Sequence, residues 1–166
     1  MKTKKIATYG LLVALAFILS YIETLFPIPV PIPGIKLGLA NLVVTIALYS
    51  MGPREAFILS LTRIVLVGFT FGNFSTMAFS LIGGLFSWLM MTVFYKSKLF
   101  SIIGVSIIGG VAHNFGQIIV AVFINYNINI FYILPLLTIS GMVTGTLTGY
   151  LAHLVVKRIK AFINVS

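Results

Sequence analysis

Apolar residues fill the chain in long runs, each broken by a short segment that carries prolines, glycines or charges. The first run spans about 6–26 and stops at Pro27. From there Pro27-Ile28-Pro29-Val30-Pro31-Ile32-Pro33-Gly34 cannot be helical, because its prolines remove donors and force extended neighbours. A second run covers about 35–51 and ends at Gly52-Pro53, where Pro53 suits the first turn of a new helix. The third run covers about 53–71, and Gly72-Asn73 is a turn signal. The fourth covers about 74–95, closed by Lys96-Ser97-Lys98. The fifth covers about 100–124 and precedes the polar Asn125-Tyr126-Asn127-Ile128-Asn129. The sixth covers about 130–156, before a basic tail. A spanning helix needs about 20 apolar residues. The pattern therefore predicts an all-α integral membrane protein: one transmembrane domain over 1–166, built as a compact bundle of six helices.

Charge supplies the orientation. The breaks that would share one side hold Lys2, Lys4, Lys5, Arg54, Lys96, Lys98, Lys157, Arg158 and Lys160, nine of the eleven basic residues. The breaks on the other side, near 27–34, 72–73 and 125–129, hold none. The positive-inside bias then puts both termini in the cytoplasm. The opening segment reads as a retained first helix and not as a cleaved signal, since the run is long and further spans follow.

Composition agrees and excludes other classes. The chain is 60% hydrophobic and 8% charged, with mean hydropathy +1.15. Soluble domains carry about 25% charged residues. The net charge of +9 is accounted for by membrane-flanking lysines and arginines. It does not form a nucleic-acid surface, since no basic face on a soluble fold accompanies it. Without cysteine, thiol chemistry and cysteine-ligated metals are excluded.

A few residues do not suit lipid. Arg63 lies ten residues into the third span, about 15 Å deep at 1.5 Å per residue. Glu23 is in the outer part of the first span, Lys36 opens the second, and Asn41 lies just over a turn below it. His113, Asn114 and Gln117 occupy the middle and outer half of the fifth. Buried charge costs about 2.5–3.5 kcal/mol on insertion scales, so such groups pair or face a cavity. These gather from the midplane outward, which predicts a polar pocket open to the outside, shared by the second, third and fifth helices. Bland readings stand beside this one. Lys36 reaches the headgroups by snorkelling, Glu23 serves only as the counter-ion of Arg63, and His113 and Gln117, four apart on one face, only bond neighbouring helices. A lone histidine without acidic neighbours makes a poor metal site.

Small residues recur every four positions: Gly141, Gly145 and Gly149 on the sixth span, Ala112 and Gly116 on the fifth, Gly10 and Ala14 on the first. That spacing lets helices approach closely. On the fifth and sixth it predicts internal packing. Near the cytoplasmic end of the first it fits a partner protein equally well.

Catalysis has little to stand on. The acidic residues are Glu23 and Glu55 alone, and aspartate is absent. Polyprenyl diphosphate synthesis needs Mg²⁺ held by clustered carboxylates. No phosphate-binding glycine loop is present, so ATP is not hydrolysed here.

Pro33-Gly34-Ile35-Lys36-Leu37-Gly38-Leu39-Ala40-Asn41, the pair Thr62-Arg63, and Gly110-Val111-Ala112-His113-Asn114-Phe115-Gly116-Gln117 resemble the Gx transporter family, also labelled heptaprenyl diphosphate synthase component I. The resemblance covers nearly the whole chain. That family is similar to the substrate-binding S-components of energy-coupling factor transporters. The resemblance implies a six-helix, multi-pass protein of the bacterial cytoplasmic membrane that binds a cofactor precursor from outside. It implies a T-component and two ATPase subunits as partners, with ATP used only by those partners and no covalently bound cofactor. Gly10 and Ala14 would meet the T-component, and the proline loop would act as a lid. Lys36 and Arg63 would attract the anionic part of the ligand, with Asn41, His113, Asn114 and Gln117 hydrogen-bonding to it. A non-catalytic subunit of a prenyl synthase, a stand-alone secondary transporter and a structural scaffold are the rival readings.

Overall fold

The computed structural model describes residues 2–25 and 38–164, with side chains over 6–25 and 38–159. The proline loop and Lys36 lie outside the described residues. Six α-helices follow one another: α1 Lys2–Leu25, α2 Asn41–Ser50, α3 Pro53–Thr70, α4 Phe74–Ser97, α5 Ile102–Asn125 and α6 Leu134–Asn164, with a 3₁₀ turn, Ile128–Ile133, leading into α6. Four segments are long and apolar enough to cross a membrane: Ile6–Leu25, Phe74–Ser97, Ile102–Asn125 and Ile128–Ile159. Two helices fall short of that description. The ten residues of α2 rise only about 15 Å, and α3 carries Arg54, Glu55 and Arg63.

Local chemistry sets the helix ends. Asn73 caps α4 by accepting from the Thr76 backbone N–H at 2.8 Å, while Thr76 Oγ1 accepts from the Asn73 N–H at 2.9 Å. Ser101 caps α5 through the Gly104 N–H at 3.1 Å. Pro53 opens α3 after Gly52, as its fixed φ favours.

Two boundaries differ from the sequence reading. The second helix starts at Asn41, not at 35. Gly38 takes φ +80°, a left-handed turn that only glycine adopts without strain, and the Leu39 N–H donates to Glu23 Oε1 at 2.8 Å. A long-range carboxylate thus takes a donor that a longer helix would have used. The last α-helix starts at Leu134, not at 130. Pro135 suits only a helix's first turn, and Asn127 accepts from the Asn129 N–H at 3.0 Å to shape the 3₁₀ turn before it.

The short α2 touches all five other helices. Its residues Val43 to Leu48 are buried. Around them Leu12, Ala16, Ala56, Leu59, Met91, Val105, Ala152 and Val156 form an apolar core in the half of the bundle nearest the termini. A second apolar cluster, Phe79, Ile118, Val120, Ala121 and Leu137, fills the opposite half between α4, α5 and α6.

The glycine spacing on α6 packs inward, as its period predicts. A Cβ on Gly141 would lie 2.9 Å from the Gly110 carbonyl carbon, one on Gly145 2.6 Å from Ile107 Cα, and one on Gly149 2.8 Å from Ile103 Cα. At those distances backbone meets backbone, and a hydrogen bond of 3.1 Å between the Ser106 and Thr148 hydroxyls ties the same seam. Gly116 performs this role toward α4, where its Cβ would lie 2.9 Å from Gly83 Cα. Gly10 and Ala14 are different. Both are exposed, and a Cβ on Gly10 would meet nothing within 4 Å.

Candidate functional site

The ionic residues collect on the α1–α2–α3 side, beyond the core around α2. Arg63 is 6% exposed. Its Nη1 donates to Ser20 Oγ at 3.4 Å, and Glu23, one turn farther along α1, acts on it electrostatically. Glu23 in turn holds the Leu39 N–H at the approach to α2. The Nε and Nη2 of Arg63 have no acceptor among the described residues. An unsatisfied buried donor costs about 1–3 kcal/mol, more when charged. A guanidinium left in this state can take an acceptor that the described residues do not supply.

Beside Arg63 is a hollow of about 10 Å³, lined by Ser20, Val67, Thr76 and Ser80 among others, roughly the room one water needs. It lies between α1, α3 and α4. The sequence expectation was a hollow shared by the second, third and fifth helices; among the described residues, the hollow at Arg63 has α1 and α4 where α2 and α5 were expected, and shares α3 alone with that expectation. The reason is the stacking of glycines on α4. Gly84 faces α3, where its Cβ would lie 3.1 Å from Ile64 Cδ1, and Gly83 faces α5, where its Cβ would lie 3.0 Å from His113 Nδ1. Helix α4 therefore lies close against both neighbours.

The residues of α5 divide by face. His113 rests on Gly83 and faces the start of α2: a Cβ on Gly38 would lie 3.4 Å from His113 Cδ2 and 3.0 Å from Asn41 Nδ2. Asn41, His113 and the Gly38 turn thus meet. Asn114 points elsewhere. Its Nδ2 donates to the Leu137 carbonyl of α6 at 2.7 Å, so it ties helices together. Gln117 is fully buried, and neither its Nε2 nor its Oε1 has a partner among the described residues. Lys36 lies outside the described residues.

Ser20, Thr76, Ser80, Gly83 and Gly84 were not singled out from the sequence. Serine and threonine are ordinary in membrane helices because they bond their own helix carbonyls, so composition does not mark them. The one usable signal was spacing, since Ser20 lies three residues before Glu23 and shares its face.

Comparison with known families adds one finding. Residues 12–155 match the model of heptaprenyl diphosphate synthase component I. No curated protein and no solved structure gives a significant match. The matching family is a non-catalytic component, and the chain's two carboxylates sit on different helices, Glu23 on α1 and Glu55 on α3. With nearly all of its length matched, the chain belongs to the heptaprenyl diphosphate synthase component I family.

Proposed function

We propose that this protein is the substrate-binding membrane subunit, an S-component, of an energy-coupling factor importer, and that it captures a small anion from outside the cell. One observation carries the reading: a buried guanidinium, far along α3 from its basic end, has two nitrogens without an acceptor among the described residues and lines a hollow. A group of this kind at bilayer depth is a ligand site by default. The charge alternation along the sequence turns that end of the bundle outward. All six helices then lie in the membrane, with the ten residues of α2 reaching only part of the way across.

In this mechanism Arg63 and Lys36 attract the anion. Ser20 steadies the guanidinium, and Asn41, His113 and Gln117 supply polar contacts on the neighbouring side. Release to the cytoplasm uses ATP hydrolysed by two partner ATPases, coupled through a T-component. The exposed Gly10 and Ala14 support a partner surface on α1, since nothing in the bundle explains small residues there.

The test is uptake of radiolabelled cofactor precursors into vesicles, with and without the ATPase module. ATP-dependent uptake that falls at least severalfold in Arg63→Ala supports the reading; equal uptake by the variant rejects it. The family description supports a second reading, a non-catalytic subunit of a prenyl diphosphate synthase. Mass spectrometry of copurifying partners separates the two: ATPases and a T-component for the first, a soluble aspartate-rich synthase for the second.

A further inference from the structure

Two hollows meet at one residue. The first is the polar hollow at Arg63, and Ile64 lines it too. The second is an apolar crevice of about 190 Å³ between α3 and α4, lined by Phe57, Leu61, Ile64, Gly84, Leu81 and Leu85. It faces outward, since Leu81 and Leu85 are exposed. Gly84 keeps it open: even a methyl there would press on Ile64 Cδ1 at 3.1 Å and Ser60 Oγ at 3.3 Å. An apolar cavity of about 150 Å³ is enough for benzene.

The polar end is specific in shape. Nε and Nη2 lie on one edge of the guanidinium, and these are the two nitrogens of Arg63 without an acceptor among the described residues, while Nη1 donates to Ser20. That edge is the fork that grips both oxygens of a carboxylate. The hollow beside it is small, and Glu23 already offsets the charge of Arg63. A diphosphate would bring more bulk and more negative charge than this arrangement balances.

We propose that the ligand is a monocarboxylate with a compact apolar part the size of one ring, its carboxylate on the Nε–Nη2 edge of Arg63 and its apolar part past Ile64 in the α3–α4 crevice. This rests on the anion-binding reading above and narrows it.

The chain's single tryptophan, Trp88, reports on the crevice, because its ring packs with its centre 4.6 Å from that of Phe57, tilted by 44°. The experiment titrates the protein in nanodiscs with 4-bromobenzoate, whose bromine quenches tryptophan fluorescence. 4-Bromophenyl phosphate, 4-bromotoluene and brominated phosphatidylcholine are run as comparators. Saturable quenching by 4-bromobenzoate is expected, weakened about tenfold in Arg63→Lys, which keeps the charge but loses the fork. Weakening is also expected in Leu85→Phe, which fills the crevice from its exposed rim. Acetate, which lacks the apolar part, should compete at concentrations insensitive to Leu85→Phe. Three results overturn the proposal while leaving an anion site standing: equal affinity for the phosphate ester, no effect of Leu85→Phe, or full binding by Arg63→Lys with loss only in Arg63→Gln. Quenching by 4-bromotoluene or the brominated lipid that matches 4-bromobenzoate and ignores Arg63 assigns the crevice to lipid and overturns it. Binding of every anion unchanged in Arg63→Gln removes the anion site as well.

Discussion

The two sides of the bundle are built on opposite principles. Helices α4, α5 and α6 meet backbone to backbone through Gly83, Gly110, Gly116, Gly141, Gly145 and Gly149, and their polar groups tie one helix to the next, as Ser106 does with Thr148 and Asn114 with the Leu137 carbonyl. Helices α1, α2 and α3 hold the charged pair and a guanidinium edge with no acceptor among the described residues. In lipid, apolar side chains give helices little reason to associate, so close packing and interhelical hydrogen bonds carry the assembly. The first side uses both, although Ser87, Thr92 and Gln117 are buried there without a partner among the described residues. The second leaves charged capacity open, which costs stability and is what a binding site requires. The contrast teaches how differently buried polar groups serve here: Ser106 and Asn114 fasten helices, while Arg63 keeps one edge open.

The contrast is open to attack at several points. Gly110→Leu forces a branched chain into the Gly141 backbone and should destabilise the fold by about 3 kcal/mol or more, seen as loss of folded protein in detergent unfolding; a near-normal transition would show that the glycine seam is not what holds this side. Asn114→Leu removes a buried helix-to-helix hydrogen bond and leaves the overall volume similar, so a loss of about 1–2 kcal/mol is expected. If the variant instead keeps its stability but loses ligand, Asn114 belongs to the site after all. Ser106→Ala deletes the hydroxyl pair with Thr148 and should cost about 0.6 kcal/mol, the usual size for such bonds in membranes.

On the other side, Arg63→Met combined with Glu23→Gln, which leaves neither buried charge without its partner, should leave stability within about 1 kcal/mol of the parent or raise it, while uptake is lost. A large drop in stability would mean that Arg63 is structural. Gly10→Leu should have the smallest effect on the isolated protein, within about 0.5 kcal/mol, since its side chain would enter open space. Its effect belongs in copurification, where recovery of the energy-coupling partners should fall; unchanged recovery would make the small face of α1 a lipid contact.

Several of these distinctions were legible early. The spacing of Gly141, Gly145 and Gly149 pointed to internal packing, and the glycines do face α5. The turn signals at Gly52-Pro53 and Gly72-Asn73 lie where α3 and α4 begin. Arg63 stood out because a charge ten residues into an apolar run is costly anywhere but a cavity or a pair. Other features were hidden. The approach to Asn41 reads as helix because Gly38-Leu39-Ala40 continues an apolar run, and only the distant carboxylate of Glu23 redirects the Leu39 N–H. Pro135 did carry a usable signal, since proline is favoured in a first turn, and the later start of α6 follows from it. Asn114 and His113 are adjacent in sequence and alike in depth, but a turn of about 100° on α5 sends one to α6 and the other to α2 and α4.

The sequence by itself determined the solvent, the helical class and the approximate helix limits, and it named the polar residues that lipid would not tolerate. These follow from local quantities: hydropathy, proline and glycine geometry, and depth counted at a fixed rise per residue. Tertiary structure alone decided which neighbour each polar group meets. It set Asn114 on the Leu137 carbonyl, left the Nε–Nη2 edge of Arg63 without an acceptor among the described residues, and brought α1 and α4 rather than α2 and α5 to the hollow beside it. The physical reason is that depth depends on one helix, whereas satisfaction of a hydrogen bond depends on the rotation and approach of two.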